Sequence, residues 1–440
     1  MFKKYNSSFS SFLFFTCCIL FFLANTPLLA QPVPASKQTQ PIVISGGTAH
    51  LGNGQIIENA MVAFENGKLT LVNTLAVGRG FSGYKIINAT GKHIYPGFIA
   101  PNTSLGLTEI ESVRATRDFD EVGDLNPNVR ALVAYNTDSE ILPTVRGNGT
   151  LLAQISPRGG LVSGTSSIVQ LDAWNWEDAA FRTDDGVFME WPSPYSFNGW
   201  WAEPGDISRN EQYNKQVKAI ERLFNEAQAY ARKGNTNTPK NLKLEAMRGL
   251  FDGSKTLFVN ANLAKSIEEA VLAAKKQGIK MVVVGGNDAY LVTDLLKENN
   301  IPVLLGRTQR LPTRDDEAYD QSYKTAISLQ KAGVLYSFSC NDAWQQRNLP
   351  FQAGQAIGYG LGHEDAVSAL TLNTAKILGI DSQVGSLEIG KDATLFISDG
   401  DPLDNRTNKV THAFIQGREI SLDNKQRALY KRFQEKYKRM

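Results

Sequence analysis

Gly278-Ile279-Lys280-Met281-Val282-Val283-Val284-Gly285-Gly286-Asn287, then Ile301-Pro302-Val303-Leu304-Leu305-Gly306, then Val334-Leu335-Tyr336-Ser337-Phe338, decide how this chain folds. Each run is short, apolar and without a polar alternation. A strand with one wet face alternates; a strand covered on both faces does not. Between the runs, Ala289 to Glu298 and Asp316 to Lys331 carry a helical period. One unit earlier, Leu257-Phe258-Val259 is a strand and Ser266 to Gln277 an amphipathic helix. Continuous apolar strands spaced by helices give a parallel sheet with helices on its faces. Its simplest closed form at this length is a (β/α)8 barrel, whose functional groups sit at the C-terminal ends of the strands.

Outward from this segment the pattern changes at both ends. Pro41 to about His93 reads as short strands, with Asn53-Gly54 and Asn66-Gly67 as tight turns between apolar runs. After Leu378-Gly379 strand signals return in Asp392 to Ile397 and Thr411 to Ile420. The expected α/β architecture is therefore a distorted barrel over 95–384 plus a small composite β-sandwich domain from 41–94 and 385–422. Residues 423–440 form a basic surface helix. Residues 1–30 read as a signal peptide: Lys3 and Lys4 precede a Phe12–Ala24 apolar core too short to span a bilayer comfortably. Residues 31–40 are a linker. The expectation is an exported protein, periplasmic or extracellular, without a transmembrane anchor after cleavage. Removal of that segment leaves Cys340 as the one cysteine, so neither an internal disulfide nor a thiolate cluster can form. With 46 basic and 44 acidic residues the net charge is +2, which gives no basis for nucleic-acid binding.

Three stretches carry a family resemblance: Tyr95 to Leu107, Gly278 to Gly306, and Leu370 to Gly379 with Val384 to Ala393 and Asp399-Gly400-Asp401-Pro402-Leu403. Together they resemble the amidohydrolase superfamily, in its imidazolonepropionase-like, metal-dependent hydrolase branch, over most of 41–420. The resemblance implies hydrolysis of non-peptide carbon–nitrogen bonds with one or two divalent metals, usually zinc. It implies a His-x-His after strand 1, one histidine each after strands 5 and 6, and an aspartate after strand 8. The matching positions here are Asn102 and Ser104, Asn260 or Asn262, Gly285, and Asp342. Amides and a hydroxyl are weak zinc ligands beside imidazole. The expected cofactor is therefore none, and the expected function is that of a non-catalytic protein, a partner or scaffold of an active relative, a homo-oligomer or a small-molecule binder. The alternative is a hydrolase with a divergent or absent metal site.

Other candidates are weaker. Asp342 is either a metal-free general base or a polar plug bonded to Asn102 or Asn260. Arg158 opens a glycine-rich stretch to Ser167 and suits a carboxylate or phosphate ligand, or a structural turn. Cys340 reads as a buried strand residue. His50 and His93 fall in the β unit and His412 in a late strand; His363, at a helix start, reads as a cap or surface residue. Trp174, Trp176, Trp191, Trp200 and Trp201, among prolines and glycines, read as a structured loop.

Overall fold

The computed structural model describes residues 33–74, 80–200, 203–233 and 239–438, and Pro34 onward is one compact unit. The expected signal segment, the start of the linker, Trp201 and the last two residues of the terminal helix lie outside the described residues.

Five strands come first: β1 (Ile42–His50), β2 (Ile56–Glu65), β3 (Lys68–Thr74), β4 (Lys85–Asn88) and β5 (His93–Pro96). The barrel follows with β6 (Phe98–Thr103), β7 (Thr150–Ile155), β8 (Val162–Gln170) and β9 (Ala180–Glu190). A hairpin of β10 (Tyr195–Trp200) and β11 (Glu203–Arg209) interrupts it. The barrel resumes with β12 (Thr256–Ala261), β13 (Met281–Gly285), β14 (Val303–Leu305) and β15 (Tyr336–Phe338). The chain then returns to the first sheet with β16 (Leu395–Ser398), β17 (Val410–Ile415) and β18 (Arg418–Glu419).

The barrel sheet runs in the order β15-β14-β13-β12-β9-β8-β7-β6, eight strands and nearly closed. Its apolar runs behave as continuous buried strands should. Val282 and Val284 face one core, while Met281 and Val283 face the other. The inner core draws Ile99, Leu152, Ile168, Phe188, Phe258 and Leu304 from successive strands. Ala375, Ile377 and Leu378 plug it at one end. Arg182, near the start of β9, donates to the carbonyls of Leu378 and Gly379, so the plug sits at the N-terminal end of the strands.

The barrel is distorted at one place. β12 through β15 are parallel, as are β9 with β12 and β6 with β7, but β8 runs antiparallel to both its neighbours. Three consecutive strands without intervening long helices replace the strand–helix repeat there. The tryptophan-rich segment is also not one loop. It supplies a short helix (Trp176–Ala179), β9 and the β10–β11 hairpin. Their backbone groups are satisfied by strand pairing that an aromatic and polar composition does not announce.

The other sheet has the order β18-β17-β16-β5-β1-β2-β3, with β4 taking the first half of one β1 edge and β5 the second half. Strands four places apart in a flat sheet stand about 19 Å apart. Here Phe64 of β2 and Phe414 of β17 meet with ring centroids 5.1 Å apart. The sheet therefore rolls over itself, and its two halves face one another. Leu69 N donates to Lys391 O at 2.9 Å and Ala393 N to Gly67 O at 2.8 Å, which seals the roll. The terminal helix Lys425–Lys438 buries none of its residues.

Candidate functional site

The inner-facing positions of neighbouring strands converge at the C-terminal end of the barrel. Phe188 and Phe258 fill the inner core, and the alternation carries Glu190 and Asn260 to the mouth two residues later. A cavity of about 380 Å³ there is lined by Asn102, Asn260, Asn262, Gly285, Asn287 and Asn341, among others. A neighbouring cavity of about 450 Å³ shares Asn260 and Asn262 and adds Glu190, Trp191, Tyr195 and Arg314.

Asn102 sits in a bulge of β6 with φ +50°, a left-handed conformation that asparagine tolerates. Its Oδ1 accepts from Ser156 Oγ at 3.1 Å. Asn260 Nδ2 donates to Glu190 Oε2 at 2.7 Å, and Asn260 Oδ1 accepts from Asn262 Nδ2 at 3.3 Å. Gly285 ends β13 at φ +87°, and a Cβ added there would lie 2.4 Å from Asn262 Oδ1 and 2.9 Å from Asn260 Oδ1. The two amide oxygens thus occupy the space into which a side chain at 285 would project.

Glu190 is the acid of this group. Its side chain is exposed toward the open cavity. Loss of solvation pushes its carboxyl up to about 7, against the opposing hydrogen bond from Asn260. Arg314, on the same cavity, is committed to Asp288 at 2.5 Å and Asp316 at 2.9 Å.

Asp342 belongs to a second group. Its Oδ1 accepts from Gln345 N at 3.0 Å, in the first turn of the 3-10 helix Trp344–Asn348. Among the described residues its side chain bonds to Gln345 N, not to Asn102 or Asn260. Partial burial, followed by the charge of Asp342, raises the Glu111 carboxyl above its usual range, while Arg158 pulls it down. Arg158 Nη2 donates to Ser104 Oγ at 3.2 Å, and Ser104 Oγ donates to Asn341 O at 3.3 Å. The Arg158 guanidinium also lies 5.2 Å from the centroid of the Phe119 ring. Cys340 is 1% exposed, and burial pushes its thiol up, away from the nucleophilic thiolate.

Comparison with known proteins gives this geometry a family. The amidohydrolase family model matches residues 233–420, which includes β12 through β17. An amidohydrolase from Thermotoga maritima superposes with a TM-score of 0.74 at 24% identity, covering 86% of this chain and 99% of that one. The chain is similar to the amidohydrolase family over residues 233–420 and shares its fold. Among curated relatives, imidazolonepropionase of Syntrophobacter fumaroxidans is 44% identical over 69 residues, 15% of this chain. Amidohydrolase tasK of Hapsidospora irregularis is 31% identical over 119 residues, 24% of this chain. The matches span 16% and 12% of those two proteins' lengths.

Within this fold the mouth gathers Asn102, Asn260, Asn262 and Gly285 around one cavity, as their positions after the strands imply. Ser104, Arg158 and Asp342 sit beside it. Glu190 and Glu111 were not apparent from sequence. Gly186-Val187-Phe188-Met189 before Glu190 is an apolar run that could have marked a strand end. Glu111 lies in a polar segment with no such signal.

Three of the four histidines gather elsewhere. His363 is the first residue of the helix His363–Leu370, yet it does not cap it; Gly362 holds that position. Its Nδ1 meets Glu364 Oε1 at 2.8 Å and its Nε2 meets Asp401 Oδ2 at 3.2 Å. Those two carboxylates, Asp401 foremost, hold its pKa up at about 9. His50, at the end of β1, reaches the same Glu364 Oε1 through Nδ1 at 2.7 Å. Its Nε2 contacts His93 Nδ1 at 3.0 Å. Along the sequence these three residues fall in separate elements, and they meet only where the rolled sheet meets the barrel.

Proposed function

We propose that this is an amidohydrolase-fold protein that does not catalyse metal-dependent hydrolysis at its barrel mouth, and that it acts as an exported partner or scaffold for an active relative. The observation that carries this reading is the donor set at the mouth. Zinc sites are built from imidazole, thiolate and carboxylate. The positions that the family resemblance assigns to histidine hold two amides, a hydroxyl and a glycine, Asn102, Asn260 or Asn262, Ser104 and Gly285. Oxygen atoms of Asn260 and Asn262 stand where a side chain at 285 would begin. Asp342 Oδ1 is occupied by the backbone N–H of Gln345. These residues do not fit a transition metal.

A second reading rests on Glu190. A carboxyl titrating near 7 beside an open cavity suits a general base at neutral pH, as in a metal-free hydrolase of carbon–nitrogen bonds.

The test is hydrolysis of a panel of acyl amides, cyclic imides and dipeptides by the mature protein, alone and with zinc or manganese. The first reading expects no turnover above buffer. Turnover abolished by Glu190→Gln alone supports the second reading, and turnover abolished by Asp342→Asn with added metal overturns both. For the partner role, purification from the native host should recover a second amidohydrolase chain; a protein always recovered alone counts against it.

A further inference from the structure

Three of the four histidines in 440 residues converge outside the barrel mouth, from the end of β1, the start of β5 and a helix N-terminus. His50, His363 and Glu364 present ligand atoms that all lie within 4.8 Å of one another. The two rings are aimed alike. His50 Nδ1 and His363 Nδ1 point at one carboxylate oxygen, Glu364 Oε1, at 2.7 and 2.8 Å. Their far nitrogens are each held: Nε2 of His50 by His93 and Nε2 of His363 by Asp401. His50 is also stacked on Tyr95, with ring centroids 4.2 Å apart and planes 9° apart, which fixes its direction.

This is how proteins present imidazole to a metal: one nitrogen toward the ion, the other donating to a group that sets tautomer and orientation. A second observation points the same way. Glu364 Oε2 is buried and has no hydrogen-bond partner among the described residues, so the carboxylate keeps uncommitted lone pairs. A cavity of about 610 Å³, lined also by Gly54, Ile56 and Tyr95, gives an ion a route in and leaves a coordination position for water. A tetrahedral ion with bonds of about 2.0–2.1 Å sets its ligands about 3.3 Å apart, so the two short contacts need open only by roughly half an ångström.

We infer that His50, His363 and Glu364 form a binding site for a divalent cation of the zinc class, with Asp401 and His93 orienting the two rings. The site links β1 to the helix His363–Leu370. It is independent of the reading of the mouth.

The experiment is zinc titration of tag-free, chelator-stripped full-length mature protein by calorimetry, with X-ray absorption of the loaded sample. The expected result is one zinc per chain on nitrogen and oxygen ligands. Binding weakens by about 10–100-fold in Asp401→Asn and by more in His50→Ala with His363→Ala, and is unchanged in Asp342→Asn. Should the double variant fail to fold by circular dichroism, Glu364→Gln replaces it, and the same loss is expected. Wild-type protein that takes up no zinc overturns the inference and leaves the mouth reading standing. Zinc that survives loss of both histidines also overturns it. Zinc lost only in Asp342→Asn overturns this site and the mouth reading together.

Discussion

At the scale of single residues, Gly285 and Glu190 define the mouth in different ways. Gly285 was visible in the sequence as a departure from histidine, but its reason was not. The obstructing oxygens belong to Asn260 and Asn262, on the next strand and the turn after it. Any side chain there meets both a left-handed backbone and filled space. Gly285→Ala should cost about 1–3 kcal/mol, read as a lower midpoint in urea unfolding. Glu190 makes a pH prediction. Its carboxyl is lifted from 4.5 to about 7, so the folded chain holds that proton more tightly than the unfolded chain. Its contribution to stability is full below about 4.5 and is lost as pH rises toward 7. Urea unfolding across this range should show that downward slope in the wild type and a flatter profile in Glu190→Gln. An unchanged slope would remove Glu190 as its source.

At the scale of elements, Asp172, just past the end of β8, ties two of them together. Its Oδ1 accepts from Arg146 of the helix Ile141–Arg146 at 2.7 Å, and its Oδ2 from Arg418 of β18 at 2.8 Å. All three side chains are largely out of water, Asp172 and Arg146 at 5% and 6% exposure. Asp172→Ala leaves two guanidinium groups without their counter-charge and should cost about 3–5 kcal/mol in chemical denaturation. The terminal helix is the opposite case. With no buried residue, its removal from Asn424 onward should change unfolding free energy by no more than about 1 kcal/mol. Legibility at this scale followed burial. Met281 to Val284 and Leu257 to Val259 announced β13 and β12, because strands covered on both faces must be apolar throughout. β8 was not legible. Its Ser163, Thr165, Ser166 and Ser167 are buried yet polar, and they pair into the ladder and into contacts such as Ser166 Oγ to Asp185 Oδ1 at 2.8 Å. No apolar pattern marks such a strand.

At the scale of the whole molecule, the sequence carried the barrel and the return of the chain to its first sheet, since both rest on local periodicity and turn residues. It did not carry the histidine cluster. His50 and Glu364 are 314 positions apart, and only the closed fold sets them at 2.7 Å. The same return has a consequence in time. His93–Pro96 lie against Leu395–Ser398, about 300 residues downstream. A ribosome therefore releases β1 to β5 long before the strand that covers their open edge exists. Until then that edge offers unpaired amide and carbonyl groups to any passing chain. Such long-range pairing is slow to form, so a nascent chain should stay open to protease cleavage within 42–96 until residues beyond 398 have emerged. Arrested chains of increasing length, digested on the ribosome, would time that closure.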